Sequence, residues 1–313
     1  MTHWLHLDWV LVVVAAWLLV GLAGVFALRR FRFISRILFP AGGAIGVLLF
    51  GVALSAVFNG AEVAVLPIGL PTLPFHLRLD SLSAFFLTVI GATATGVLAD
   101  DAYAFMVMWE TMALSSFFLV TANHRIAEIR RAGYLYLLVA HVGAIGILMC
   151  FGVLQANTGD YTFANMRAQA LSPFWASAAF GLAVFGFGAK AGIVPLHIWL
   201  PEAHPAAPSP VSALMSGVML KTAVYGLLRV IFDLLHLQLW WWGAVLLALG
   251  LATALFGVVF AAVQVDMKRL LAYSSIENIG LLVTGIGLTV VFAAYDMKPL
   301  AALALTASLY HVA

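Results

Sequence analysis
Glu110, Lys190, Lys221 and Glu277 each stand inside a stretch otherwise apolar enough to span a bilayer, although only 9% of the chain is Asp, Glu, Lys or Arg. A charge at membrane depth costs about 2.5 to 3.5 kcal/mol on insertion scales, so such residues face a bundle interior or water and mark routes for ions. Burial disfavours a charged lysine and a charged glutamate alike, and pairing the two relieves both. A Lys190 whose charge depends on a nearby, ionised Glu110 is a switchable proton site; a static ion pair between helices would use the same two residues. Lys221 is a further mid-span cation that could carry a proton or snorkel, while Arg229, near the end of its span, is expected to snorkel. His141 lies in an apolar run and suits either a relay, since an unperturbed imidazole titrates near neutrality, or a hydrogen-bonded core position. Glu277 suits either a second proton route or a polar contact to Asn278 or Ser274.

Around Lys190, Gly186, Gly188 and Gly192 are expected to leave room for water and for close helix approach, with Pro195 breaking the helix just beyond. Broken helices at the bilayer midplane are where transporters hold ions. His197, Glu202 and His204 surround this Pro-rich connection, but their spacing is not that of a helical His-Glu zinc motif and prolines interrupt it. No metal site is expected there; Pro195, Pro201 and His204 read as a structured loop at a channel mouth. The sequence carries no haem-attachment motif, no cysteine set for an iron–sulfur cluster and no dinucleotide or phosphate loop, so no cofactor is expected.

Helices must carry these residues, and the composition supplies them. Hydrophobic residues make up 64% of the 313 positions, against roughly 45 to 50% in a soluble domain. At about 20 apolar residues per crossing, hydropathy predicts about ten helices. They lie at 10–28, 37–58, 82–98, 102–121, 133–154, 174–194, 210–231, 241–263, 270–292 and from 299 onward. Continuous apolar runs exclude the weak alternation of a membrane barrel. Asn59 to Leu79, with Pro67, Pro71 and Pro74, is predicted as an extended re-entrant or surface loop. Trp240, Trp241 and Trp242 open a span at the level where amphipathic rings anchor among headgroups. The one cysteine, Cys150, lies mid-way through an apolar run and reads as a packing residue. A net charge of +2, with arginines scattered in short loops, points away from nucleic acid. Met1 to Asp8 lacks the basic start of a cleaved signal peptide, so the first apolar run is expected to be retained.

The basic residues give orientation. Arg29, Arg30, Arg32 and Arg36, then Arg125, Arg130 and Arg131, then Lys268 and Arg269 mark three loops that the positive-inside rule places in the cytoplasm. From Arg131 the predicted crossings return the chain correctly at Lys268. Between Arg36 and Arg125 the predicted helices are odd in number, which the rule does not allow, so one is missing or does not span.

The runs ADDAYAFMVMWETMALSSFFLV, HRIAEIRRAGYLYLLVAHVG, FGFGAKAGIVPLHIWLPEAHPAAPSPVSALMSGVMLKTAVYGLLR and DMKRLLAYSSIENIG follow in this order from Asp100 towards His311. They resemble the antiporter-like proton-channel subunits of respiratory complex I and the Mrp antiporters. AYSSIENIG is most similar to the membrane subunit of energy-converting hydrogenases, hydrogenase-4 component B and its formate hydrogenlyase counterpart. The resemblance implies that Glu110 is the family's essential helix glutamate and Lys190 its central lysine on a broken helix. It makes Lys221 the next relay position and His311 the first histidine of a longer His-rich helix. It implies an all-α, polytopic transmembrane bundle, expected to be incomplete on its C-terminal side and to lack residues between LDSLSAFFLTVIG and VLADD, which would account for the odd helix count. The expected division is 1–100 for N-terminal helices and the Pro-rich loop, 101–235 for a first half-channel and 236–313 for the start of a second. The implied function is proton translocation in an energy-converting oxidoreductase complex of a bacterial or archaeal inner membrane. Redox chemistry would then fall to partner membrane and peripheral subunits; the alternative is an Mrp-type cation/proton antiporter.

Overall fold
The computed structural model describes residues 5–26, 33–58, 62–70, 73–79, 101–156 and 158–312. The predicted span 82–98 lies outside them. The chain falls into two compact units, Met1–Ala99 and Asp100–Ala313.

In the first unit α1 (His6–Phe26) lies against α2 (Phe39–Val57), which follows a π-helical turn at Ile34–Leu38. Pro40 sits in the first turn of α2, where its missing N–H has no partner to lose. The Pro-rich segment expected as a loop is instead an antiparallel hairpin of β1 (Glu62–Leu70) and β2 (Leu73–Leu79). Glu62 stands opposite Leu79 and Leu66 opposite Phe75; the register then shifts between Leu66 and Gly69, around Pro67, which cannot donate to a ladder. The Glu62 carboxylate accepts from the Leu7 N–H at 2.7 Å and meets the His6 ring at 2.9 Å, fastening the hairpin to the first turn of α1.

The second unit is a helix bundle. α3 (Ala102–Val120) and α4 (Ala127–Leu154) lead through the short α5 (Phe163–Ala168) into α6 (Pro173–Ala191), which continues beyond a break as α7 (Leu200–Ala206). α8 (Ser209–Leu214) and α9 (Leu220–Arg229) form one rod with π-helical turns at Met215–Met219 and Val230–Leu234. α10 (Trp240–Ala262), α11 (Met267–Ala294) and α12 (Lys298–Val312) complete it. Among the described residues six helices are long and apolar enough to cross a bilayer: Arg36–Ala56, Ala127–Leu154, Pro173–Ala206, Val211–Leu234, Trp240–Ala262 and Met267–Ala294. His6–Ala16 and Phe105–Val120 are shorter apolar stretches. The chain is an integral membrane protein, and its described residues are helical apart from the small hairpin and the connections, the arrangement by which backbone groups can be satisfied in hydrocarbon.

Contacts between connections sort the ends of the second unit. The Ala102 N–H donates to the Tyr161 carbonyl at 3.0 Å and Arg167 donates to Asp233 at 3.0 Å, so the starts of α3 and α6 lie with the end of the α8–α9 rod. At the other end Lys268 Nζ donates to the Ala207 carbonyl at 2.8 Å and Arg269 faces Glu202 at 3.4 Å. Glycines set how closely the helices cross. A Cβ built on Gly143 of α4 would lie 2.9 Å from the Gly186 carbonyl oxygen, and one on Gly186 2.7 Å from that of Gly143. Gly186 therefore admits the close helix approach expected there. On α10, Gly243 and Gly250, seven residues apart, meet Gly287 and Gly280 of α11 in the same way. Small residues are how helices associate where lipid removes the hydrophobic drive between them.

Candidate functional site
α6 stops at Gly192, not at Pro195 as the proline alone suggests. Gly192 has φ +79°, a left-handed conformation, and its N–H bonds the Gly188 carbonyl at 2.9 Å, the usual glycine ending of a helix. A side chain there would also collide with Leu200. Pro195 then leads into a 3₁₀ turn, Leu196–Trp199, before α7. A break inside an apolar bundle frees backbone groups that need partners. The Gly188 carbonyl accepts from both Gly192 and Ile193, the Ala189 carbonyl accepts from Trp199 Nε1 at 2.8 Å, and the Val194 N–H donates to Thr253 Oγ1 at 3.1 Å.

Lys190 occupies the last turn of α6 and is 2% exposed. Its Nζ donates to the Tyr136 hydroxyl of α4 at 2.7 Å and lies 4.8 Å from the Tyr136 ring centroid. That hydroxyl donates onward to the Ala113 carbonyl of α3 at 3.3 Å. Glu110 stands one helical turn before Ala113 and acts electrostatically on both Lys190 and Tyr136, but makes no direct ion pair with the lysine. Its Oε2 lies 3.5 Å from Nε2 of His141, whose Nδ1 meets the Leu137 carbonyl at 2.9 Å. Its Oε1 is buried and accepts no hydrogen bond from the described residues. Lys190 is thus held by the Tyr136 hydroxyl and lies in the field of Glu110 without a direct ion pair to it.

Lys221 of α9 belongs to a second polar constellation. A cavity of about 370 Å³ is lined by Lys221 and Ser216 on the rod, Ser275 and Asn278 on α11, and His311 on α12. Within it Ser216 and Ser275 share a hydrogen bond of 3.2 Å, and His311 Nε2 meets Asn278 Oδ1 at 3.0 Å. α9 and α6 are in contact, with Gly226 beneath the Phe187 ring, so the helices bearing Lys190 and Lys221 are neighbours. Glu277 does not share this cavity. Its backbone lies against Gly257 of α10, one residue round the helix from Asn278, and the amide of Asn278 bonds the Ser274 carbonyl and His311 instead of Glu277.

The remaining candidates separate. His204 is 1% exposed and pairs with Ser212 at 2.8 Å, Glu202 faces Arg269, and the His197 ring packs edge-on against Phe256 with centroids 4.4 Å apart. Pro201 opens α7 and Pro195 precedes the 3₁₀ turn, so the expected loop is largely helical. Arg229, near the end of its span, donates to Asp233 at 2.9 Å and to the Tyr225 hydroxyl at 2.7 Å, with Asp233 one turn away on the same face. Tyr136, Thr253, Trp199, Ser216 and Ser275 stand in these arrangements and were not singled out from the sequence.

Over residues 99–309 the chain matches the family described as NADH:quinone oxidoreductase/Mrp antiporter, TM. Hydrogenase-4 component B of Escherichia coli is 42% identical over 273 residues, which are 75% of this chain and 40% of that protein. Formate hydrogenlyase subunit 3 of Escherichia coli is 36% identical over 229 residues, 72% of this chain and 36% of that one. Among solved structures, the Mrp complex from Dietzia sp. is similar with a TM-score of 0.61 and 25% identity, over 97% of this chain and 36% of the matched chain. The chain spans less than half the length of these relatives.

Proposed function
This chain belongs to the NADH:quinone oxidoreductase/Mrp antiporter transmembrane family, and from that premise we propose that it translocates protons within an energy-converting oxidoreductase complex of the hydrogenase-4, formate hydrogenlyase or NADH:quinone oxidoreductase type. The observation that carries the reading is Lys190, buried at a helix break and bonded to Tyr136 within the field of Glu110. In this reading residues 101–235 make the half-channel and 236–313 begin the next. Glu110, with His141 beside it, sets how readily Lys190 holds its proton, and Lys221 with His311 receives it in the neighbouring cavity. Electron transfer takes place in partner membrane and peripheral subunits. The magnitudes agree: one elementary charge crossing 100 mV is worth about 2.3 kcal/mol, and a hydrogen bond to a charged group about 1.5 to 3 kcal/mol. Making or releasing the Lys190–Tyr136 bond is therefore large enough to gate a proton.

In vesicles bearing the full-length chain within its complex, Lys190→Ala should abolish proton movement reported by a pH-sensitive dye while partner electron transfer persists in part. Glu110→Gln should do nearly as much. Lys190→Arg should also fail, because a guanidinium with a pKa above about 12 keeps its proton. Normal pumping by the arginine variant would mean that a fixed positive charge suffices, and the carrier role would be wrong. Likeness to the Mrp complex over 97% of the chain supports a second reading, cation/proton antiport; proton movement that requires Na⁺ and needs no redox substrate would select it.

A further inference from the structure
The geometry points to Thr253 as a positioning residue for the Lys190 site, acting through the backbone of the break, an idea that rests on the reading of Lys190 as proton carrier. Thr253 lies in the middle of α10 and is 0% exposed. Its hydroxyl donates to the Leu249 carbonyl at 2.6 Å, one turn back, which turns the oxygen's lone pairs outward from its own helix. One lone pair accepts the Val194 N–H at 3.1 Å. Val194 stands four residues beyond Lys190 and two beyond the left-handed Gly192, where the chain has left α6 and has no helical carbonyl to bond. Without Thr253 that N–H would be orphaned inside the bundle, which a buried donor does not tolerate without displacement. The far side of the break is held by Trp199, whose indole N–H grips the Ala189 carbonyl next to Lys190 and whose ring lies edge-on to Tyr136 at 5.1 Å. Thr253 and Trp199 thus clamp the break from α10 and from the 3₁₀ turn, and the Lys190–Tyr136 distance follows from both. Because α10 is locked to α11 through Gly243, Gly250 and their partners, Thr253 also ties the break to the helix that bears Ser275 and Asn278 of the Lys221 cavity.

The test uses Thr253→Val, Thr253→Ala and Thr253→Ser in the full-length chain within its complex, with Lys190→Ala alongside. Amide hydrogen exchange across residues 192–196 and dye-reported proton movement over a pH series are both measured. With Val or Ala, exchange should rise and proton movement fall, each by about tenfold, the scale expected for one unsatisfied buried donor, with the pH profile displaced. Serine, which keeps the hydroxyl, should restore exchange, rate and profile. Should valine prevent assembly, alanine carries the same test with less bulk. Wild-type exchange and transport in the alanine variant would overturn the assignment, and so would a serine variant as impaired as alanine. Exchange is read without any proton movement, so a Lys190→Ala variant that still pumps would sink the carrier reading while leaving the tie from Thr253 to Val194 decided on its own.

Discussion
Tyr136 gives Lys190 its hydrogen-bond acceptor, and a phenol differs from a carboxylate there in one respect that matters: it stabilises the ammonium without fixing its charge. Tyr136→Phe keeps the ring and its contact with Trp199 but removes the oxygen that Lys190 and the Ala113 carbonyl share. Proton movement should fall by on the order of 10- to 100-fold, the equivalent of about 1.5 to 3 kcal/mol for a hydrogen bond to a charged group, with complex assembly unchanged on native gels. Wild-type rates in vesicles would show that the lysine works without its tyrosine. Charged residues in apolar runs were legible from the sequence because their cost announces them; Glu110, Lys190 and Lys221 all stand at polar constellations. Tyr136 was not legible. GYLYLL offers two tyrosines in a helix apolar on every side, and only packing shows that Tyr136 is 1% exposed while Tyr134 is 67% exposed. Thr253 is hidden for the same reason, as a small polar residue in an apolar run with no charge to advertise it.

The helices are placed by glycines whose roles differ within one element. Gly186 of α6 meets the Gly143 carbonyl and Ile147, whereas Gly181, five residues earlier, has nothing within 4 Å of where a Cβ would stand. Gly186→Ala should therefore push α4 from α6, lowering thermal stability in detergent by about 1 to 3 kcal/mol as overpacking does, and loosening the Lys190–Tyr136 bond with it. Gly181→Ala should be neutral or stabilising by about 0.5 to 1 kcal/mol, since glycine in a helix interior is destabilising by that amount relative to alanine. Equal melting shifts for the two variants would contradict the assigned crossing. At this scale sequence patterning located the spans well and their punctuation less well. Apolar length is a property of one segment, so α4, α6, α10 and α11 fall close to the predicted runs. The hairpin and the exact end of α6 depend on register and on a left-handed glycine, and Pro67 and Pro195 drew attention away from both.

For the second unit as a whole, the contacts between connections and the positions of basic residues lead to one orientation. Arg125, Arg130, Arg131, Lys268 and Arg269 follow α3 or precede α11 at the end where Glu202 and Ala207 lie. At the opposite end Arg167 and Arg229 are paired with Asp233, and Lys298 with Asp296 at 3.3 Å. Short loops rich in Lys and Arg stay in the cytoplasm, which puts Asn123 and Val265 inside and Asp160 and Asp296 outside. Each can be replaced singly by cysteine in a Cys150→Ser background, since Cys150 is the chain's one cysteine and is buried. A membrane-impermeant maleimide added to intact cells should label positions 160 and 296 at once, and positions 123 and 265 only after the membrane is opened. Labelling of 123 and 160 from the same side would mean that α4 (Ala127–Leu154), the one helix between them, does not cross the bilayer, and would sink the orientation.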